Sequence, residues 1–269
     1  MKCQRLFPQR VVVAVVVAVA VVLAVVLAPA PVRAEPSAEQ IARQALDNTM
    51  FSSENSQATI ELDVSKDGRL VRQRQLTAMV KRSRDGFVKS FVEFHQPADV
   101  AGTKFLSIEE QGETRQFIYL PAFKKVKRIV GAQRGQSFMG TDFSYSDLEG
   151  RDVGEWTWKS LPEQKVQGEA AWVIEGTPKT KSEPYGRLLL WVHKAHGIPL
   201  KSEFYDHSGK ELVKRLEVQK LSKKDDRWIT VDSVMTTPKK GTETRLKVVA
   251  IDLKSQIPDD RLTKEALER

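Results

Sequence analysis

The feature that most constrains this chain is a two-residue alternation of apolar and polar side chains, which begins after Ser56 and recurs almost to the C-terminus. Ile60, Leu62 and Val64 alternate in this way with polar neighbours, and 66–68 (Lys-Asp-Gly) then reads as a tight turn. A period of two is typical of β-strands with one buried face, and short turns make consecutive strands antiparallel neighbours. The pattern therefore predicts a mainly β fold arranged as an antiparallel meander.

About a dozen strands are predicted by this alternation and by the turn residues between the alternating segments. They cover roughly 60–64, 70–82, 87–94, 104–109, 115–120, 125–130, 155–161, 170–176, 186–193, 199–206, 211–219, 227–236 and 242–253. A sheet of this size cannot stay flat, because its strands twist. We therefore expect a single curled antiparallel sheet.

Three other segments are expected to cover this sheet. Ser37 and Gln40 form a capping box at the start of an N-terminal helix, and 131–152 reads as a long glycine-punctuated loop with a short helix near 144–149. A helix-start signal at 258–260 predicts a short C-terminal helix. The apolar residues of the two terminal helices are Ile41, Ala45, Leu46 and Met50 in the first and Leu262, Ala266 and Leu267 in the last.

The concave face of the curled sheet has two possible states. Short helices can fill it only in part, and strands such as 117–120 and 188–192 are apolar on both faces, so an apolar hollow for one ligand is expected. Burial of one methylene contributes roughly 0.8 kcal/mol, so a chain of about 16 carbons could contribute on the order of 10 kcal/mol. The alternative is that helices and loops fill the hollow completely, and periodicity does not decide between the two.

The N-terminus has the features of a secretory signal peptide. Residues 1–10 carry basic residues and no acid, 11–28 contain only Val, Ala and Leu, and 32–34 (Val-Arg-Ala) fit a cleavage site. We therefore expect residues 1–34 to be removed, leaving a single mature domain at 35–269 in the periplasm. The alternative is a retained anchor, since the apolar run is long enough to span a bilayer.

The mature chain would be free of cysteine and mildly basic. The only cysteine, Cys3, precedes the apolar run, so neither disulfides nor a lipid-modified cysteine are expected. Removal of four basic residues lowers the net charge from +8 to about +4. That charge would favour an anionic membrane surface but is low for a nucleic-acid-binding protein.

Motifs that carry catalysis are absent from the sequence, so we predict no catalytic residue, no cofactor and no metal. There is no Gly-x-Ser-x-Gly, no His-Glu-x-x-His and no phosphate-binding glycine loop. His193 and His196 flank a turn but have no third ligand nearby, and are interpreted as exposed turn residues. The acids of the loop lack calcium-loop spacing and are expected to cap a helix or pair with bases. They are Asp142, Asp147, Glu149 and Asp152.

The densest group of basic residues is a candidate contact for lipid phosphates or for an acidic partner. Its alternative interpretation is an ordinary solvated strand and loop. The group comprises Lys124, Lys125, Lys127, Arg128 and Arg134.

The stretch 97–152 resembles a known family. The resemblance is carried by 97–103 (PADVAGT), 105–108 (FLSI), 117–121 (FIYLP), 125–129 (KVKRI) and 137–148 (SFMGTDFSYSDL), of which SFMGTDF is the most specific. These segments are similar to the outer-membrane lipoprotein-sorting proteins, relatives of the periplasmic carrier LolA and the receptor LolB. With the N-terminal helix and the later hairpins, the resemblance covers nearly all of 35–269. It implies an unclosed half β-barrel covered by helices, with a cavity for acyl chains.

The resemblance implies a non-enzymatic, monomeric carrier that moves lipoprotein or lipid cargo between envelope membranes, with an inner-membrane transporter as a further partner. One alternative is an adaptor subunit of a lipid transporter of the resistance-nodulation-division type, with a filled concavity. Another is an enzyme acting on envelope lipids through Asp142 or His95. The candidate cavity residues are Phe91, Phe105, Ile118, Leu120, Phe138, Met139, Phe143, Tyr145, Leu190 and Phe204.

Overall fold

The structure is a computed structural model that describes residues 35–49, 55–110 and 113–269. The chain divides into two units, Met1–Pro36 and Ser37–Arg269, and the fold below is that of the second. The predicted signal peptide with Cys3, and the helix position Met50, lie outside the described residues. Within the described ranges, no helix is both long enough and apolar enough to cross a membrane.

The alternating segments form one antiparallel sheet, which has thirteen strands in the part of the chain that the structure describes. The strands are β1 (Ser56–Lys66), β2 (Arg69–Arg82), β3 (Val88–Gln96), β4 (Lys104–Glu110), β5 (Glu113–Leu120), β6 (Lys125–Ile129), β7 (Trp156–Val166), β8 (Glu169–Pro178), β9 (Arg187–His193), β10 (Pro199–Tyr205), β11 (Leu212–Lys224), β12 (Arg227–Thr237) and β13 (Thr242–Asp252). The prediction of a mainly β antiparallel fold is confirmed.

The sheet consists of two meanders joined edge to edge. Strands β1 to β6 run in order on one side and β13 back to β7 on the other, and Leu62 of β1 lies opposite Leu246 of β13. Strands β6 and β7 are consecutive in sequence but lie at the two ends of the sheet. The half-barrel is therefore unclosed between them, as expected. The segment that joins them, 130–155, is called the crossing loop below.

Side chains of each strand alternate between the concave face and the outer face. In β3, Val92 and Phe94 belong to the large core of the concave face, whereas Phe91 belongs to a second cluster on the outer face. The crossing loop and the N-terminal helix cover the concave face, because Phe138 and Ile41 are both part of its core.

The C-terminal segment differs from the prediction. Two short 3₁₀ turns, Asp259–Arg261 and Glu265–Leu267, replace the expected helix. Leu262 and Leu267 are fully buried on the outer face, where they join the cluster of Met79, Phe91 and Leu106. Leu262 and Leu267 are five residues apart, and that spacing does not place two side chains on the same side of an α-helix. The two 3₁₀ turns bring both side chains onto the sheet.

The N-terminal helix, α1 (Ala38–Asp47), begins where the sequence predicts. The Ser37 hydroxyl accepts a hydrogen bond from the Gln40 amide while the Gln40 side chain accepts one from the Ser37 amide, so the capping box is complete. Ile41, Ala42 and Ala45 are buried, and the helix packs against β7 and β8.

Candidate functional site

The crossing loop fills the half of the concave face formed by β1 to β5. The Phe138 ring centroid lies 5.5 Å from that of Phe94 and 5.3 Å from that of Phe105. Tyr145 extends this group, at 5.5 Å from Phe138 and 5.8 Å from Phe105. A void of about 20 Å³ remains beside Phe138 and Phe143, which is too small for a hydrocarbon chain. For this half of the sheet, the filled alternative holds.

An apolar cavity of about 130 Å³ remains under the other half, against β9 to β13. One end of the cavity is formed by Leu46, in the last turn of α1, and by Asn48 and Thr49, which follow the helix. The other end reaches Asp147 and Arg151 of the crossing loop. The apolar walls include Leu188, Leu190, Phe204, Leu216, Met235 and Leu246.

The size of this cavity limits what it can hold as it stands. A dry apolar cavity of about 150 Å³ is known to bind benzene, so a cavity of about 130 Å³ accommodates a hydrocarbon segment of similar size. A long acyl chain needs several times this volume. Phe143 and Leu246 line both the cavity and the small void beside Phe138, so they are the partition between the two spaces.

The inner end of the cavity is a buried cluster of charges around Asp147. Its side chain is 4% exposed and accepts hydrogen bonds from Lys214 Nζ at 2.9 Å and from Tyr185 Oη at 3.0 Å. The Ser144 amide and hydroxyl donate to the same carboxylate at 2.8 and 2.7 Å. Arg151 Nη2 lies 3.4 Å away, and its buried Nε has no hydrogen-bond partner in the structure. Two cations therefore face one carboxylate.

The pKa values in this cluster follow from burial opposed by charge. Burial by itself would raise the pKa of Asp147, but the charges of Lys214 and Arg151 and the hydrogen bonds from Lys214 and Ser144 hold it below its ordinary value. Burial by itself would lower the pKa of Lys214, but the charges and hydrogen bonds of Asp147 and Tyr185 together outweigh it, so the pKa is raised. Burial, with Asp147, raises the pKa of Tyr185. The cluster is an ion pair at neutral pH.

A second carboxylate fastens the crossing loop to the sheet. Asp142 is 6% exposed, and its Oδ1 accepts hydrogen bonds from Thr237 and Thr242 hydroxyls at 2.6 and 2.5 Å. Its Oδ2 accepts one from the Thr244 hydroxyl at 2.7 Å, and the Asp142 amide donates to the same hydroxyl oxygen at 2.9 Å. Asp142 is thus held by threonine hydroxyls, whereas the expectation for the acids of the loop was helix capping or pairing with bases.

The predicted cavity residues fall into three groups. Phe143, Leu190 and Phe204 line the cavity. Phe91 lies on the outer face, so its expected place in the hollow was wrong, because it alternates along β3 with Val92 and Phe94 of the concave face. The remaining residues pack within or against the core of the concave face without lining the cavity; they are Phe105, Ile118, Leu120, Phe138, Met139 and Tyr145.

The predicted basic group is not one surface. Arg134 binds Glu149, which is buried, and Arg128 pairs with Glu113 at 3.3 Å. Burial raises the pKa of Glu149, in opposition to the charge of Arg134. The three lysines of the group, Lys124, Lys125 and Lys127, are exposed near the start of edge strand β6.

The histidine turn is less exposed than predicted. His193 is 7% exposed, and its Nδ1 accepts hydrogen bonds from the amides of Ala195 and His196 at 3.0 and 3.2 Å. Its ring stacks on His196, which in turn stacks on Trp228, with centroids 4.3 and 4.5 Å apart. Among the described residues, no group of three or more His, Cys, Asp or Glu is placed to hold a metal ion.

Lys214 is the important residue that the sequence reasoning did not single out. It is 9% exposed and occupies an inward position of β11, two residues before Leu216 and four before Val218. A lysine at an apolar position of the alternation is the signal that could have identified it, because a buried lysine requires an acidic partner.

In the part of the chain that the structure describes, the unclosed thirteen-stranded sheet, with the crossing loop and α1 on its concave face, has the fold of the outer membrane lipoprotein-sorting proteins of the LolA superfamily. Residues 86–269 match the model of a family described as uncharacterized proteins, and the chain belongs to that family. No curated protein matches the chain significantly.

Three solved structures show the likeness. A domain classed as an outer membrane lipoprotein-sorting protein, from Vibrio parahaemolyticus, has a TM-score of 0.79 at 29% identity, with 86% of this chain and 98% of that chain covered. A DUF1329 family protein from Desulfovibrio piger has a TM-score of 0.79 at 27% identity, covering 86% and 97%. A LolA superfamily protein from Nitrosomonas europaea has a TM-score of 0.69 at 20% identity, covering 86% and 100%, which supports the fold alone.

Proposed function

We propose that the protein is a non-catalytic periplasmic carrier that binds an acyl chain of a lipid or a lipoprotein in the cavity against β9 to β13. The observation that carries the proposal is the cavity itself, about 130 Å³ in volume and walled mainly by aliphatic and aromatic side chains. Such walls stabilise hydrocarbon without a specific polar arrangement, because each buried methylene contributes roughly 0.8 kcal/mol. The likeness to lipoprotein-sorting proteins supports the same class of cargo.

A complete acyl chain is accommodated when Phe143 moves. This ring separates the cavity from the void beside Phe138, so its displacement joins the two spaces. Further space comes from withdrawal of the other aromatic rings of the crossing loop from the concave face. The cargo thus replaces the loop's own apolar side chains, and the apolar area that the loop exposes is compensated by burial of the chain.

The polar groups at the inner end of the cavity have structural partners. The Asp147 carboxylate is occupied by Ser144, Tyr185, Lys214 and Arg151, which leaves it without the free lone pairs that a general base requires. We therefore assign this cluster to holding the crossing loop rather than to turnover.

Blocking the cavity tests the proposal. Leu216 is half-buried in the cavity wall, and Leu216→Trp places a large ring in the space that the chain would occupy. Uptake of a fluorescent fatty acid by the mature protein should fall at least about tenfold, since several methylenes lose their site. Val249→Trp adds the same ring at an exposed position of β13 and serves as the control.

The result depends on both variants and on the cargo that the purified protein carries. We expect native mass spectrometry to detect bound acyl lipid in the wild type and in the control. A wild-type protein that is always recovered lipid-free and takes up no fatty acid would refute the carrier function. Equal loss of uptake in the two variants would refute this cavity as the site.

A further inference from the structure

A second pocket lies at the end of the sheet where β1 turns into β2 and β12 turns into β13. It has a volume of about 300 Å³ and is separate from the apolar cavity. The Asp67 amide of the first turn donates to the Gly241 carbonyl of the second at 2.8 Å, which holds the two turns together. The crossing loop forms the opposite wall with Ser137, Gly140 and Thr141.

Three cations from three separate segments converge on this pocket. Lys66 ends β1, Arg72 lies near the start of β2, and Lys240 lies in the turn after β12. None of the three makes an ion pair or a hydrogen bond within the described residues. The guanidinium of Arg72 lies close to the crossing loop, because its Nη1 is 3.6 Å from the position that a Cβ on Gly140 would occupy. The pocket is therefore lined by unpaired positive charge.

The other two charged groups in the pocket wall are already occupied. Lys214 is paired with Asp147 on the side of the apolar cavity. The carboxylate of Asp142 accepts hydrogen bonds from three threonine hydroxyls, which disperse its charge. Three free cations against one such carboxylate leave a net positive pocket, which excludes a metal cation as the ligand and favours an anion.

The geometry points to a site for a phosphate group, which we propose as a second binding function of this protein. Arg72 offers a planar set of donors for phosphate oxygens, and Lys66 and Lys240 supply point charges. A volume of about 300 Å³ lies at the lower end of the range for small-ligand sites. The phosphate comes from a lipid headgroup or from a soluble anion, and both present the same oxygens to these residues.

This site does not depend on the acyl-chain proposal, because the two spaces lie on opposite sides of the Asp147–Lys214 ion pair. The test uses Lys66→Gln, Arg72→Gln and Lys240→Gln combined in the mature protein. The matched control combines Lys159→Gln, Lys165→Gln and Lys220→Gln, which removes the same charge from exposed lysines elsewhere. Circular dichroism and the melting temperature establish that both variants are folded.

Inorganic phosphate is titrated by calorimetry, and vesicles of phosphatidylglycerol in phosphatidylcholine are tested by co-sedimentation. We expect the affinity of the Lys66/Arg72/Lys240 variant for one or both probes to fall at least about tenfold, because charge-assisted hydrogen bonds are lost, and the affinity of the control to stay unchanged.

Loss of binding to inorganic phosphate identifies a site that also takes soluble phosphate, and loss of binding to vesicles alone identifies a headgroup site. Failure of the wild type to bind either probe, or equal loss in both variants, overturns the proposal. Fatty-acid uptake should remain in both variants, so the two proposals fail separately.

Discussion

At the scale of single residues, Asp147 is the side chain on which the inner end of the cavity depends. It accepts hydrogen bonds from the loop itself through Ser144 and from the sheet side through Tyr185 and Lys214. A buried ion pair adds little stability compared with an apolar pair of the same size, but its separation into one unpaired charge is costly. The cluster therefore favours one position of the loop over all others.

Asp147→Asn tests this role. The variant leaves Lys214 and Arg151 without their carboxylate, and the free energy of unfolding should fall by about 3–5 kcal/mol in urea denaturation. Asp63→Asn is the control, because Asp63 pairs with Lys247 where both side chains are partly exposed, at 23% and 38%. Its loss should cost less than about 1 kcal/mol. Similar losses in the two variants would contradict the role given to the buried pair.

At the scale of elements, the crossing loop behaves as part of the core rather than as a cover over an empty hollow. Its residues Phe138 and Phe143 are 3% and 8% exposed, and Met139 and Gly140 adopt left-handed φ angles of 51° and 75° between them. This turn lets the rings of Phe138 and Phe143, which are five residues apart in the chain, both enter the concave face. The loop is held to β12 and β13 chiefly through Asp142.

Thr244→Val weakens that attachment without changing the shape of the side chain. The Asp142 amide and carboxylate each lose a hydrogen-bond partner in a buried place, so the loop should be destabilised by about 1–3 kcal/mol. Hydrogen exchange of amides in 137–148 should quicken more than exchange in β1 and β2. Thr236→Val, on the other face of β12, is the control and should leave exchange in the loop unchanged.

The two edge strands of the unclosed sheet carry features that oppose pairing with a second copy. Strand β6 has five residues, three of them basic, and β7 carries Pro162 with a break in its register between Leu161 and Gln164. Short length, charge and proline are the usual protections of an exposed edge. These features favour the monomer that the family resemblance implies.

At the scale of the whole molecule, stability should depend on pH through its buried carboxylates. The folded-state pKa of Asp147 is below its ordinary value because Lys214 and Arg151 outweigh the effect of burial, so the unfolded state takes up the proton first. Its contribution is present at neutral pH and is lost as the pH falls below about 4. Glu149 acts in the opposite sense, because burial raises its pKa and its ionisation opposes folding as the pH rises.

The measurement is the urea midpoint at pH 7 and at pH 3. We expect a lower midpoint at pH 3 for the wild type, and a smaller difference between the two values for Asp147→Asn, which has no proton to take up at that position. A pH difference that is the same in the variant and the wild type would assign the acid sensitivity to other carboxylates.

Several features could be predicted from the chain because they depend on neighbours a few residues apart. Ile60, Leu62 and Val64 alternate with polar residues wherever the strand is placed, and the Ser37–Gln40 box starts a helix through its own hydrogen bonds. Asp147, Glu149 and Asp152 of the crossing loop likewise act as caps or ion-pair partners, as predicted, whereas Asp142 accepts hydrogen bonds from threonine hydroxyls instead. The prediction of a C-terminal helix was wrong, because local capping signals do not reveal which surface a short segment will contact.

The strand alternation, the antiparallel neighbours within each meander and the N-terminal helix thus follow from the chain's local pattern. Long-range packing sets the pairing of β1 with β13, the outward direction of Phe91 and the filling of half of the concave face by the crossing loop. It also brings Lys214 to Asp147, 67 residues earlier in the chain. These features escape local reasoning because a period of two specifies alternate faces but not which face is concave. That choice is made by packing between residues far apart in sequence.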